Sequence, residues 1–156
     1  MRRLLFLIAF LAAPASAAPT ITDPAARAFV AHQEQAWNAG DLGRYFAGFT
    51  PDARFTDQAY VGDKPPVPYG TSTLIQARAQ ARRALTQGKA HEAGEVLRVE
   101  IAADGASARV TSREASTVER AGRTRRLCAT RTQTLVVAPG GLRSRGQTDT
   151  FYRCPR

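Results

Sequence analysis

Histidine is almost missing from this chain: His32 and His91 are the only two. They share no helical or finger spacing and form no cluster with cysteine, so no metal-binding signature is present. Cysteine is equally scarce, and Cys128 and Cys154 form no Cys-x-x-Cys, which removes the usual basis for thiol redox catalysis. No Gly-x-Ser-x-Gly elbow and no phosphate-binding glycine loop occurs, so neither an elbow hydrolase nor a nucleotide cofactor is expected. Beyond the first residues no apolar run comes near the length of a membrane span. No internal repeat, linker or low-complexity tract divides the chain. Lysine is limited to Lys64 and Lys89, so the formal charge of +9 is carried by arginine. The densest basic run, Arg123-Thr124-Arg125-Arg126, lacks aromatic interleaving, and nucleic acid is not an expected partner. A basic surface attracts anionic headgroups or glycans, but names none of them.

Met1-Arg2-Arg3, the apolar run Leu4 to Ala13 and Ala15-Ser16-Ala17 have the order of a secretory signal peptide with a small-residue cleavage site. The sequence therefore divides into a signal peptide over residues 1–17 and one domain over residues 18–156, which is secreted or periplasmic. Loss of Arg2 and Arg3 takes the charge from +9 to +7. In an oxidising compartment the two cysteines are expected to pair. Ala138-Pro139-Gly140-Gly141 is a hairpin signal. Pairing Ala138 with Leu142 places Cys128 opposite Tyr152 and leaves Cys154 two residues away on the same face.

The chain is organised around the stretch from Trp37 to Asp57. Asp23 caps a first helix with Pro24 following, and Ala26, Phe29, Val30, Gln33 and Trp37 share its apolar face. Gly40 suits a helix end with positive φ. Asp41 caps a second helix, with Leu42, Tyr45, Phe46 and Phe49 at helical spacing. Thr50-Pro51-Asp52 ends it, and a short strand follows, with Asp57 just after. Gln58 to Tyr69, holding Pro65, Pro66 and Pro68, reads as a loop. Gly70-Thr71-Ser72 opens a third helix that runs to about Gln87 and is stopped by Gly88. Its apolar side is Leu74, Ala77, Ala81 and Leu85, with Arg78, Arg82 and Arg83 outward. From Ala90 the period changes to two. His91, Ala93, Glu95, Leu97, Val99 and Ile101 alternate with Glu92, Gly94, Val96, Arg98 and Glu100. Turns at Asp104-Gly105, Ala121-Gly122 and Pro139-Gly140-Gly141 complete a meander, giving an α+β domain.

Asn38-Ala39-Gly40-Asp41-Leu42, its spacing to Asp57, the proline-rich loop, the third helix and the meander together resemble the nuclear transport factor 2-like superfamily. That superfamily includes ketosteroid isomerases and SnoaL-like polyketide cyclases. The resemblance implies a cone-shaped α+β barrel, with three N-terminal helices packed on a curved, mostly antiparallel sheet around an apolar pocket. It also implies a homodimer through the outer sheet face.

Carried over from the ketosteroid isomerases, the proton-abstracting aspartate falls on Asp57, a role that suits a carboxylate beside an apolar cavity. Their oxyanion donors, a tyrosine and a protonated aspartic acid, fall on Gln33 and near Gln133. These amides are weaker donors, and they either polarise one end of the pocket or bond structurally. Asp57 is either a base or a turn residue. Trp37 and Tyr60 are candidate lining residues, and Tyr60 and Tyr69 serve as packing anchors or as pocket wall. His91 and Glu95 share a strand face and can form an acid–base pair or stand at the rim. Glu114 and Arg131 fall on facing strands as a candidate buried ion pair. The first functional expectation is an exported domain that binds a small apolar ligand. An isomerase, cyclase or dehydratase with Asp57 as base is the second, and an interaction subunit using the outer sheet face the third.

Overall fold

A computed structural model describes residues 20–155, and the expected signal peptide lies outside the described residues. Helix α1 spans Asp23–Asn38, α2 Leu42–Ala47 and α3 Leu74–Gln87. The strands are β1 Phe49–Ala59, β2 Val67–Thr73, β3 Gly88–Ile101, β4 Ser107–Arg120, β5 Arg123–Ala138 and β6 Gly141–Tyr152. They form one curved, unclosed sheet in the order β2-β1-β6-β5-β4-β3. Only the β1–β6 pairing is parallel. The expected α+β cone of three helices on this sheet is what the chain adopts.

Four local details differ from the sequence reading. Thr22, not Asp23, caps α1 by accepting from the Ala25 amide at 3.3 Å. Asp23 instead sits in the first turn and pairs with Arg27 one turn on. Helix α2 ends at Ala47, so Phe49 begins β1, and Pro51 lies where the register breaks between Phe49 and Arg54. Asp57 is therefore inside β1 rather than beyond it. The proline-rich segment returns as β2, a strand the sequence reading treats as loop and helix start. Pro68 is tolerated there because β2 is an edge strand and one of its sides needs no amide donor. Thr73 then caps α3, with Gln76 reaching back to complete a capping box.

Two apolar clusters fill the space between helices and sheet. Ile21, Ala26, Val30, Ala108, Val110 and Leu135 form one beneath the start of α1. Ala36, Tyr45, Phe46, Phe49, Ala53 and Ala81 form the other beneath α2 and α3. Gln33 and Gln133 are hydrogen-bonded to each other at 2.8 Å and fully enclosed.

Three side chains of α1 run along the backbone of β3. Arg27 donates to the Val96 carbonyl at 2.9 Å, and Glu34 accepts from the Gly94 amide at 3.1 Å. Asn38 exchanges two 2.8 Å bonds with the backbone of Glu92. This carboxamide therefore makes the paired donor and acceptor contacts a neighbouring strand would make, and it fixes the height of Glu92 on the sheet.

Candidate functional site: an aromatic cavity with a charged floor

The sheet's concave face and α3 enclose a cavity of about 310 Å³. Trp37, Tyr45, Phe46, Phe55, Leu127 and Phe151 supply its apolar wall, and Ala77, Ala81 and Ala84 its helical side. Small residues on α3 leave the volume open, while rings on α1, α2, β1 and β6 bound it. The rings support one another, with Trp37 and Tyr45 centroids 5.2 Å apart and Tyr45 edge-on to Phe46 at 4.9 Å.

The floor follows from strand register. Asp57 on β1 lies beside Asp149 on β6, Asp149 opposite Arg131 on β5, and Arg131 opposite Ser112 on β4. One row across four strands thus carries polar side chains toward the same side. The Arg131 guanidinium bonds Asp149 through Nε (2.8 Å) and Nη2 (3.2 Å), and Glu92 through Nη1 (2.6 Å) and Nη2 (3.0 Å). Glu114 lies 4.0 Å from Nη1 and accepts from the Ser112 hydroxyl. Gln147 donates to Asp149 at 2.7 Å and accepts from the Tyr45 hydroxyl at 3.3 Å.

Burial sets the protonation preferences. Loss of water opposes the Arg131 charge, but Asp149 and Glu92 outweigh it, so its pKa is raised and it stays a cation. Burial pushes the Tyr45 hydroxyl up, leaving it a phenol and a hydrogen-bond donor. Glu114 is raised first by burial and then by the charges of Glu92 and Asp149, against the lowering effects of Arg131 and Ser112. Asp57 is an exposed residue at the mouth, yet its pKa is raised by partial desolvation and by Asp149, with Arg131 opposing. No side-chain hydrogen bond holds its carboxylate among the described residues.

A raised carboxyl pKa has a defined stability signature. The Glu114 contribution is fully present below the ordinary glutamate pKa and is lost as pH rises through the folded value. Glu114→Gln keeps the size and the acceptor for Ser112 but removes the titration. Stability at neutral pH is expected to rise, and the part of the pH profile just above the ordinary glutamate range to flatten. Urea unfolding across that range checks this. An unchanged profile would mean that the buried carboxyl does not titrate there.

With this geometry in place, comparison with solved structures is informative. A ketosteroid isomerase-like protein from Erwinia carotovora atroseptica aligns over 86% of this chain and 100% of its own, with TM-score 0.63 and 14% identity. An NTF-2 like protein of unknown function from Shewanella oneidensis aligns over 81% and 97%, with TM-score 0.59 and 13% identity. The beta subunit of the benzoate 1,2-dioxygenase from Burkholderia mallei aligns over 86% and 93%, with TM-score 0.66 and 13% identity. These structures share the cone-like α+β fold of this chain, a nuclear transport factor 2-like fold. No family model and no curated protein sequence matches the chain.

Within this nuclear transport factor 2-like cone, the expected site residues divide into two groups. Asp57, Trp37 and Arg131 all line the cavity, and Glu114 joins them. Gln33 and Gln133 do not line it. They bond to each other and cannot serve as its polar end. Tyr60 stands in a shallow depression beside the cavity with Tyr69, whose ring lies 6.3 Å from Phe151. His91 and Glu95 are exposed on the opposite face of β3, where Glu95 pairs with Arg113. The inward residue at that level is Glu92, only 6% exposed. Glu92, Asp149, Tyr45 and Gln147 carry no site role in the sequence reading. The signal for Asp149 was the period-two placement of Gln147, Asp149 and Phe151 on the last strand.

Proposed function

We propose that this chain binds a small, mainly apolar molecule in the cavity, held at one end by the charged floor. The observation that carries this reading is an aromatic enclosure of about 310 Å³ over a polar row fixed by register and ion pairing. Ligand sites combine these features, a concave apolar wall with few convergent polar groups. Trp37, the chain's single tryptophan, lines the wall and is a built-in reporter. Ala84 is exposed yet borders the cavity, so Ala84→Trp fills space without opening the core. A neutral naphthalene alcohol is expected to quench Trp37 saturably in the native chain. Calorimetry should show its affinity reduced about tenfold or more in Ala84→Trp, a 1.4 kcal/mol effect or larger. Equal affinity in the two proteins would place binding elsewhere.

A second reading is favoured by Asp57 itself. Its carboxylate has no hydrogen-bond partner among the described residues, faces an aromatic wall and has a raised pKa, as a general base requires. In this reading the chain is an isomerase-, cyclase- or dehydratase-type enzyme. Once a turnover is found, Asp57→Asn is expected to lower it by about 100-fold or more with folding intact. Retained turnover would return Asp57 to a packing role.

Export is part of the proposal. The Cys128–Cys154 disulfide supports an oxidising compartment. Thiol alkylation of the extracted protein before and after reduction tests this, and free thiols in the native chain would oppose it.

A further inference from the structure

Among the described residues, four carboxylates face the cavity, Asp57, Glu92, Glu114 and Asp149, against the single guanidinium of Arg131. With all ionised, the charge there is −4 + 1 = −3. With Asp57 and Glu114 both protonated it is still −2 + 1 = −1. The cavity is therefore negative in either state, inside a chain whose formal charge is +9. Arg131 has no free fork to offer an anion. Its Nε, Nη1 and Nη2 are engaged by Asp149 and Glu92, and Glu114 stands on its remaining side. A carboxylate or phosphate ligand entering here would meet like charge and no available donor.

Acceptors, by contrast, are left over. Glu114 is 3% exposed, and its Oε1 accepts from Ser112, but no donor among the described residues reaches Oε2. Room for that oxygen is made by Gly94 on the facing strand, where an added Cβ would lie 2.5 Å from it. Glu114 lines the cavity, and so does Asp57, whose two oxygens have no hydrogen-bond partner among the described residues. The wall adds a further preference, since Trp37, Tyr45 and Phe46 line it and aromatic rings attract cations at their faces. Among the described residues no group of three or more His, Cys, Asp or Glu has metal-holding geometry.

We infer that the cavity selects an organic cation, a protonated amine carried on an apolar or aromatic body, with the amine at the Asp57 end of the floor. This rests on the ligand-binding reading above and narrows it to a chemical class. The arginines elsewhere on the chain steer anions to the outer surface, but charges beyond about 10 Å are screened, and the nearest groups decide the sign inside.

The test uses three probes with one body: naphthylmethylamine, naphthalenemethanol and naphthylacetate, titrated calorimetrically into the full mature chain. The amine is expected to bind on the order of tenfold more tightly than the carboxylate, with the alcohol between them. In Asp57→Asn the amine's advantage over the alcohol, both measured on that variant, should fall by about tenfold. A carboxylate that binds as tightly as the amine overturns the inference but leaves the ligand-binding reading standing. An amine advantage that survives Asp57→Asn also overturns it, by locating the cation elsewhere. Failure of all three probes overturns both.

Discussion

Replacing Arg131 by methionine is expected to cost about 3–5 kcal/mol of folding stability. The side chains of Arg131, Glu92, Asp149 and Glu114 are only 12%, 8%, 12% and 4% exposed, so water cannot take over the task of solvating the carboxylates. Methionine matches the length of the arginine stem but leaves three acidic groups facing one another without a counter-charge. The same cluster replaced as a unit behaves differently. Arg131→Met combined with Glu92→Gln and Asp149→Asn should recover a large part of the loss, because Glu114 is then the one buried carboxyl of the cluster left, and its raised pKa favours the neutral acid. Urea unfolding of the single and triple variants measures both. The sign of the pH response is also fixed. Without Arg131 the Glu114 carboxyl loses its main lowering influence and rises further, so the variant's deficit should shrink on acidification and grow as pH increases through the Glu114 value. A single variant within 1 kcal/mol of the parent chain would show that the floor is hydrated and its ion pairs weak.

Substituting serine at both Cys128 and Cys154 is expected to remove about 3.5 kcal/mol, from the loop entropy of a closed segment with sequence separation 26. The bridge joins buried Cys128 on β5 to the residue two past the end of β6, with Cα atoms 5.2 Å apart. The serine variant and the reduced parent chain should unfold at the same lower denaturant concentration, with unchanged signal from Trp37 in the folded baseline. If reduction leaves the midpoint unmoved, the unfolded chain gains nothing from release of the bridge.

The position of this bridge was legible before the fold was known, though for a partly different reason. Counting from Ala138 opposite Leu142 puts Cys128 opposite Tyr152. The observed turn pairs Ala138 with Gly141, one residue tighter, and an irregularity between Gln133 and Leu135 restores Cys128 opposite Tyr152. On β4 and β5 the alternation that begins at Ala90 continues. Ala108, Val110, Ser112 and Glu114 do share the buried face, as do Ala129, Gln133 and Leu135. Trp37 and Asp57 were likewise placed on the cavity side.

Strand β3 misled for a physical reason. Val99 and Ile101 lie in the odd-numbered set, which drew His91 and Glu95 into the presumed inner face. Register shifts between Val96 and Arg98, so the inward positions are Glu92 and Val96 before the irregularity and Val99 after it. A bulge exchanges the faces of everything on one side of it, and alternation alone does not reveal where it sits. Strand β2 was hidden by Pro65, Pro66, Pro68 and Gly70, which mark a loop in a central strand and are permitted at an edge. The enclosed Gln33–Gln133 pair could not be told from pocket-facing amides by spacing, because the two side chains come from elements 100 positions apart.

The contacts of Arg27, Glu34 and Asn38 with β3 bear on how copies of this chain can assemble. Those side chains occupy the outer margin of β3 from Glu92 to Val96, which leaves β2 as the more open of the sheet's two edges among the described residues. Growth into a fibre needs two such margins, one to receive and one to extend. A β2-to-β2 contact uses the same surface on both copies and closes after one step, giving a two-fold pair rather than a polymer. The helix that positions Glu92 thus also obstructs strand addition along the middle of β3.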